Sequence, residues 1–333
     1  MKFNFKKKNI ITKMVHIIST AITLLCSSLF QDFVTKYNKV YKDENERNLR
    51  MEIFCDNYNF VANHNSQNDV NFFLDINEYA DLTDIEFKSF TSHPINMELY
   101  EPNIWGYDDT VYTKQVPSHF DWRDEGHVSV VKNQGQCGSC WTFSTTGAIE
   151  AQVSIHNNKK VLLSEQELVD CSWMYANMGC SGGMVDRAFR YAKRFGLSTE
   201  DAYPYTAQNH MCKYKSLKDS TNKTFIQKWL DVVPLNETRL TETLYNVGPI
   251  SVAIDASSKE FRFYKSGVFD KCGYSLDHAV LLVGFGTEDG QDFYTIKNSW
   301  GTTYGDEGYI KISRGVSSFG TCGVAMMPSF PVV

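Results

Sequence analysis

The chain has 333 residues, 42% of them apolar and 14% aromatic, which excludes a disordered polymer and allows one large core or two modest ones. Its formal charge of −6 is uneven: Lys2, Lys6, Lys7, Lys8 and Lys13 give the first 28 residues five positive charges and no acid, so the remainder is acidic. An acidic body without a basic stripe does not fit a nucleic-acid binder.

Those lysines precede an apolar run from Met14 to about Leu25, and Cys26-Ser27-Ser28 supplies small residues for a cut, the pattern of a secretory leader over residues 1–28. The alternative is an uncleaved anchor. However, the run contains His16, Ser19 and Thr20 and falls short of the ~20 residues of a membrane span. No other segment approaches that length, so stable membrane insertion is not expected. A lumenal route permits disulfides among the nine cysteines and glycans at the sequons of Asn222 and Asn236.

From Leu29 to Phe90 the chain is charged and helical in rhythm. Phe30, Phe33, Tyr37 and Tyr41, then Phe54, Tyr58 and Val61, recur at three- and four-residue steps. Within this stretch Glu46, Arg50, Phe54, Asn57, Val61 and Asn65 share one side of a helix. Residues 91–115 lose periodicity and collect Pro94, Pro102 and Gly106, as an extended linker does. Beyond it the texture changes midway, which predicts two subdomains around one cleft. Trp141–Ile155, Leu163–Cys171 and Met184–Phe195 have helical spacing, with Ser164 and Glu167 forming a capping box. After about Phe225 the runs Ile250–Ile254, Ala279–Val283 and Phe293–Ile296 are short, β-branched or aromatic, and bounded by turn residues.

The chemistry is concentrated in three places: Gln134-Gly-Gln-Cys137-Gly-Ser-Cys140-Trp141, Asp277-His278, and Asn298-Ser-Trp300-Gly301. His278 lies 138 residues after Cys140, and Asn298 lies 20 further on, an order and spacing that resemble the papain and cathepsin family of cysteine proteases. Taken singly, each residue has a bland reading: a buried thiol, a satisfied core histidine, a turn asparagine. Their joint occurrence is what carries the resemblance. The 46–65 helix stripe resembles the interspersed Glu-Arg-Phe-Asn-Ile-Asn signature of cathepsin L-like propeptides, with Val61 for Ile. The stretch Asp75-Ile-Asn77-Glu-Tyr79-Ala-Asp81 resembles their second motif, with Asp75 for Gly and Tyr79 for Phe.

The resemblance implies an α+β fold: a small helical propeptide (29–115) ahead of a two-subdomain protease (116–333), helical in its first half and an antiparallel, barrel-like sheet in its second. It implies Cys140 as nucleophile, activated by a helix N-terminus and by His278 as imidazolium. Asn298 would orient the histidine ring, Trp300 would shield that bond, and Gln134 with the Cys140 N–H would hold the oxyanion. Gly182 and Gly183 would pair with substrate backbone. Met184, Val185, Ala253, Leu276 and Met327 would form an apolar pocket for the second residue before the cleaved bond.

With Cys26 lost and Cys140 reduced, seven cysteines remain, and Cys55 is the odd one. Six cysteines allow 15 pairings, and the resemblance selects Cys137–Cys180, Cys171–Cys212 and Cys272–Cys322. It further implies protein and peptide substrates, the chain's own propeptide and cystatin-like inhibitors as partners, a monomer, and no metal or cofactor. Two positions depart from the family pattern, Thr142 for Ala and Tyr304 for Trp. No Cys between 82 and 115 could tether a propeptide fragment as in cathepsin H, and no long insertion follows Cys171 as in cathepsin B, so an endopeptidase is expected. The rival reading is a catalytically silent relative that binds peptides in the same cleft.

Overall fold

The computed structural model describes residues 26–91, 103, 106–213 and 223–333. The expected leader up to residue 25, most of the 92–105 linker and the sequon at Asn222 lie outside them. The chain forms two compact units, one holding residues up to 67 together with 76–83, the other 68–75 together with 84–333.

In the first unit, residues 26–36 form helix α1 and Glu44–Asn65 form α2. The Asp43 carboxylate accepts the Glu46 N–H at 2.9 Å, satisfying one orphan amide at the helix start, while the Glu46 carboxylate reaches back to the Lys42 N–H at 2.7 Å and ties down the entering chain. Phe30 and Phe33 pack on Phe54 with centroids 5.5 and 4.9 Å apart. Asn57, fully enclosed, donates from Nδ2 to the carbonyls of Ala80 (2.8 Å) and Leu82 (3.1 Å). Asp81 accepts from Lys39 and from the Tyr41 hydroxyl. Asn57 and Arg50 of the 46–65 stripe therefore bind the 76–83 turn, and Phe54 and Val61 supply the apolar floor. Cys55 is not left over: it is bonded to Cys26, which opens α1. The expectation that left Cys55 unpaired did not include this bond.

The second unit contains strand β1 (Phe72–Leu74), helix α3 (Asp84–Thr91) and strand β2 (Phe120–Asp121). Helices α4 (Cys140–Asn157), α5 (Glu165–Cys171) and α6 (Val185–Phe195) follow. Then come β3 (Lys228–Asp231), α7 (Glu237–Val247), β4 (Ile250–Ile254), the short α8 (Lys259–Phe263) and β5 (Tyr264–Phe269). The remaining strands are β6 (His278–Glu288), β7 (Gln291–Lys297), β8 (Tyr309–Ser313) and β9 (Ser329–Val332). Each expected helix and strand is present with ends shifted by a few residues. Helix α7 was not anticipated. Asn236 caps it by accepting the Arg239 N–H at 2.9 Å, and the Asn236 side chain stays exposed.

The sheet runs β1-β5-β8-β7-β6-β4-β9-β3, with β2 on β6. It is open rather than closed, and it is antiparallel except for the parallel β5–β8 pair. Strand β6 is buried along its first nine residues, so it reads as a continuous apolar run rather than an alternation. Helix α4 lies against it: Ala279, Leu281 and Val283 share a core with Ile149, Leu168 and Phe189. A Cβ at Gly147 would come within 3.0 Å of Leu281, so this glycine lets α4 approach the strand. The Ser144 hydroxyl donates to the Val280 carbonyl at 2.7 Å, fixing the register of α4 on β6.

Candidate active site

Cys140 is the first residue of α4, so its sulfur sits where the helix backbone presents unpaired N–H groups. His278 is the first residue of β6, and the following amide, Ala279 N–H, donates to Cys140 Sγ at 3.5 Å. Cys140 and His278 are thus joined across the α4–β6 seam. Before His278, the Asp277 carboxylate accepts the Ala256 N–H at 2.8 Å, and its own N–H donates to Ile254 O at 3.0 Å, which pins the strand entry.

His278 Nε2 and Asn298 Oδ1 are 2.8 Å apart, and both residues are buried. With Asn298 Oδ1 as acceptor, Nε2 carries a proton and Nδ1 is the nitrogen open to exchange with sulfur. The same Oδ1 accepts the Ser299 N–H at 2.8 Å, so the amide cannot rotate without losing a backbone bond. Trp300 stacks on the imidazole with centroids 4.8 Å apart and is itself enclosed by Phe87, Phe261 and Tyr304. Trp300 and Tyr304 are both fully buried, so that side of the His278–Asn298 bond is packed with side chains.

Gln134 is held from every direction. Its Oε1 accepts from Ser299 Oγ at 2.7 Å and from Trp300 Nε1 at 3.2 Å, and its Nε2 donates to Cys137 O at 2.9 Å, leaving one amide N–H to aim at a substrate oxygen. Its carbonyl accepts the Tyr205 hydroxyl at 2.8 Å. Thr142, one of the two departures, donates to Ser139 O at 2.7 Å within the first turn of α4, so its extra hydroxyl is absorbed locally.

Burial pushes the Cys140 thiol up to about 11, the Asp277 carboxylate adds to this, and the amides of Ala279 and Trp141 pull it back. Ionisation requires a compensating positive charge, and His278 is the residue placed to carry it.

Met184, Val185, Ala253 and Met327 line one pocket together with Gly183. A Cβ on Gly183 would lie 2.6 Å from the Trp141 ring, so only glycine fits there. Leu276 is not in that lining. It is buried beside Gly323 and Met326. Sequence reasoning missed two carboxylates in the same pocket, Asp186 and Asp231, with Ser251 and Ser329 beside them. Burial first, and then Asp231, push the Asp186 carboxyl up to about 7, while Ser329 pulls it down. Asp186 was findable, since it follows Val185 directly. Asp231 was not, because it arrives from β3, 45 residues downstream.

All six cysteines of the expected protease disulfides are bonded in the pairs Cys137–Cys180, Cys171–Cys212 and Cys272–Cys322, and Cys140 is free. The first of these fixes the loop before the nucleophile to the Gly182–Gly183 turn, and Gly138 N–H donates to Cys180 O at 2.9 Å beside it. Behind the catalytic residues, Lys132 bridges Glu165 (2.9 Å), Glu200 (2.9 Å) and Glu150 (3.5 Å), while Lys297 donates to Ser129 at 3.0 Å.

Residues 116–332 match the model of the papain family cysteine proteases, and residues 30–87 match that of the cathepsin propeptide inhibitor domain (I29). The chain is 42% identical to cathepsin L1 of Drosophila melanogaster over 318 residues, covering 90% of this chain and 84% of that one. It is 40% identical to digestive cysteine proteinase 3 of Homarus americanus, covering 92% and 95%. Among solved structures, digestive procathepsin L 3 from the Tenebrio molitor larval midgut superposes with a TM-score of 0.83 at 36% identity, covering 93% of this chain and 99% of that one. The recombinant stem bromelain precursor gives 0.83 at 35% identity, covering 92% and 99%. A protease domain and a propeptide domain matched in one chain, with relatives of this similarity along nearly its whole length, make it a cathepsin L-like member of the papain family of cysteine proteases that carries the family's inhibitory propeptide.

Proposed function

We propose that the protein is a cysteine endopeptidase of the secretory pathway, made as an inactive zymogen and matured by a cut within a few residues of Val116. The leader would end upstream of Cys26, and the enzyme would work in a lysosome-like compartment or outside the cell. The observation that carries the reading is the His278 Nε2 to Asn298 Oδ1 bond of 2.8 Å, on the strand whose next amide touches Cys140 Sγ.

The Cys140 thiolate attacks the scissile carbonyl carbon, and the oxygen that becomes negative is met by Gln134 Nε2–H and the Cys140 N–H. His278 passes its Nδ1 proton to the leaving amine as the C–N bond breaks, leaving a thioester. The neutral ring then takes a proton from water as that water attacks the thioester, and sulfur leaves as thiolate beside the imidazolium, which restores the starting pair as the acid product departs. Gly182 and Gly183 hold the substrate backbone, and the pocket of Met184, Val185, Ala253 and Met327 takes an aliphatic or aromatic side chain. Partners are protein and peptide substrates, the chain's own propeptide and cystatin-like inhibitors.

The test is hydrolysis of a fluorogenic dipeptide with Phe or Leu in its second position after acid activation. Turnover in the wild type that is lost in Cys140→Ala and under a thiol-directed epoxide supports the reading. A folded, propeptide-free wild type without turnover would overturn it. Acid activation is part of the proposal, and equal self-processing at about pH 5 and about pH 7.5 would remove that part.

A further inference from the structure

Residues 106–112, just upstream of the expected cut, are not a loose connection. Asp108 N–H donates to Asp231 O at 2.7 Å and Asp231 N–H donates to Gly106 O at 3.3 Å, so this segment adds a short parallel pairing to the outer edge of β3. The Asp108 side chain is 2% exposed, and its Oδ2 accepts from Tyr112 OH (2.7 Å), Thr243 Oγ1 (3.2 Å) and Arg239 (3.2 Å). Arg239 also donates to the carbonyls of Asp108 (3.0 Å) and Thr110 (2.6 Å), and its guanidinium lies 4.7 Å over the Tyr112 ring. A surface strap has no need of a buried carboxylate met by four donors, the fourth being the Thr110 N–H on Oδ1 at 3.2 Å. Such a carboxylate costs several kcal/mol to desolvate unless its partners are preorganised.

We propose that the β3 edge with Arg239 and Thr243 of α7 is a peptide-docking site that adjoins the pocket of Met184 and Met327 at Asp231. It would take an extended segment in which an aspartate is followed four residues later by a tyrosine. In the zymogen its occupant is residues 106–112. The inference rests on the reading that the mature enzyme begins near Val116. Cutting there severs the strap without touching any of its contacts, so the cleaved propeptide stays anchored and leaves only by dissociation from this edge. When it leaves, the unpaired N–H and C=O of β3 and the Arg239 fork are uncovered together, which is the combination that recognises an extended acidic peptide. None of the residues that clamp the Asp108 side chain lines the pocket of Met184 and Met327.

The test uses self-processed enzyme whose Cys140 has been blocked by a thiol-directed epoxide, and a fluorescent peptide of residues 103–113. Saturable binding with the cleft blocked is expected. It should weaken about thirtyfold or more for the Asp108→Asn peptide, as expected for loss of one partner of an enclosed charge pair. Arg239→Ala enzyme should lose binding while its thermal midpoint stays near that of the wild type. Equal binding of the Asp108→Asn peptide, or no binding up to about 1 mM, overturns the proposal. Amino-terminal sequencing of the processed enzyme separates the two failures. A start upstream of residue 106 means that the strap was never released and the maturation reading is wrong. A start near 116 with no peptide binding means that the docking site itself is wrong.

Discussion

Tyr304 stands edge-on to Trp300 with ring centroids 4.9 Å apart, and its hydroxyl donates to Phe261 O at 3.0 Å. The position where the family pattern places a tryptophan is therefore filled, and the smaller ring is locked by a hydrogen bond that an indole could not make in the same way. Tyr304→Phe should lose only that bond, about 1 kcal/mol, with turnover within about threefold of wild type. Tyr304→Ala should open a cavity beside Trp300, cost about 3–5 kcal/mol and lower kcat more than it raises KM. Denaturant titration and steady-state kinetics on the two variants check this, and a Phe variant as impaired as the Ala variant would contradict it.

Cys140 and His278 should ionise as a pair. In the enclosed state burial pushes the thiol up to about 11, so below that pH the sulfur alone is protonated and unreactive. Alkylation of the intact zymogen by iodoacetamide should be slow at neutral pH and should climb as pH rises toward that value. Processed enzyme should alkylate rapidly from acid to neutral pH, because the imidazolium of His278 stabilises the thiolate. In processed His278→Ala that low-pH reactivity should vanish, returning the profile to that of an isolated thiol. An acid-reactive thiolate in the His278→Ala enzyme would show that the helix terminus suffices.

What was legible in the sequence divides along physical lines. That Cys140, His278, Asn298 and Gln134 come together could be read because few other residues supply those atoms at those separations. The helices α4 to α6 and strands β4, β6 and β7 could be read because each buries one stripe or one continuous run. Helix α7 was missed since its polar residues Glu237, Thr238 and Arg239 surround a narrow apolar stripe, Leu240 and Leu244, inside a strand-rich region. The Cys26–Cys55 bond was missed because the leader pattern and the first helix overlap at Cys26, and composition alone does not say which claims it. Asp231 could not be placed in the pocket of Met184 and Met327, since that placement depends on β3 pairing with β9 across nearly a hundred residues.

The carboxylates in the pocket make a prediction that apolar lining alone does not. Asp186, pushed up to about 7, is neutral in acid and becomes anionic as pH rises through that value. In acid the pocket should favour Leu or Phe at the second position. Above about pH 7 an Arg or Lys at that position should gain, because the pocket then offers it a counter-charge. The ratio of kcat/KM for Arg over Leu substrates should rise between about pH 5.5 and about pH 7.5, and Asp186→Asn should flatten the rise while leaving Leu hydrolysis in acid intact. A ratio that does not move with pH in the wild type would mean that the acids lie beyond the reach of a substrate side chain.

The network behind the site should be costly to break from one side and cheap to remove as a whole. Lys132 is enclosed between Glu150 and Glu165, with Glu200 at its outer edge, and Glu150 also accepts the Leu163 N–H at 2.7 Å. Lys132→Ala leaves two enclosed carboxylates facing each other, and the loss of one partner from such a group costs about 3–5 kcal/mol. Lys132→Met with Glu165→Leu removes charge of both signs and keeps the volume, so the double variant should regain most of that loss. Lys297 shares the cluster and is held by burial near 8, below its ordinary range, so its neighbours' charges decide whether it stays protonated beside Asn298. The single variant should therefore shift the pH profile of kcat as well as stability, because the charge next to the residue that orients His278 has changed. Urea titrations and pH–rate profiles of the single and double variants decide it: a single variant as stable as wild type would show the bridge to be solvated, and a double variant as unstable as the single one would show that packing, rather than charge, holds this seam.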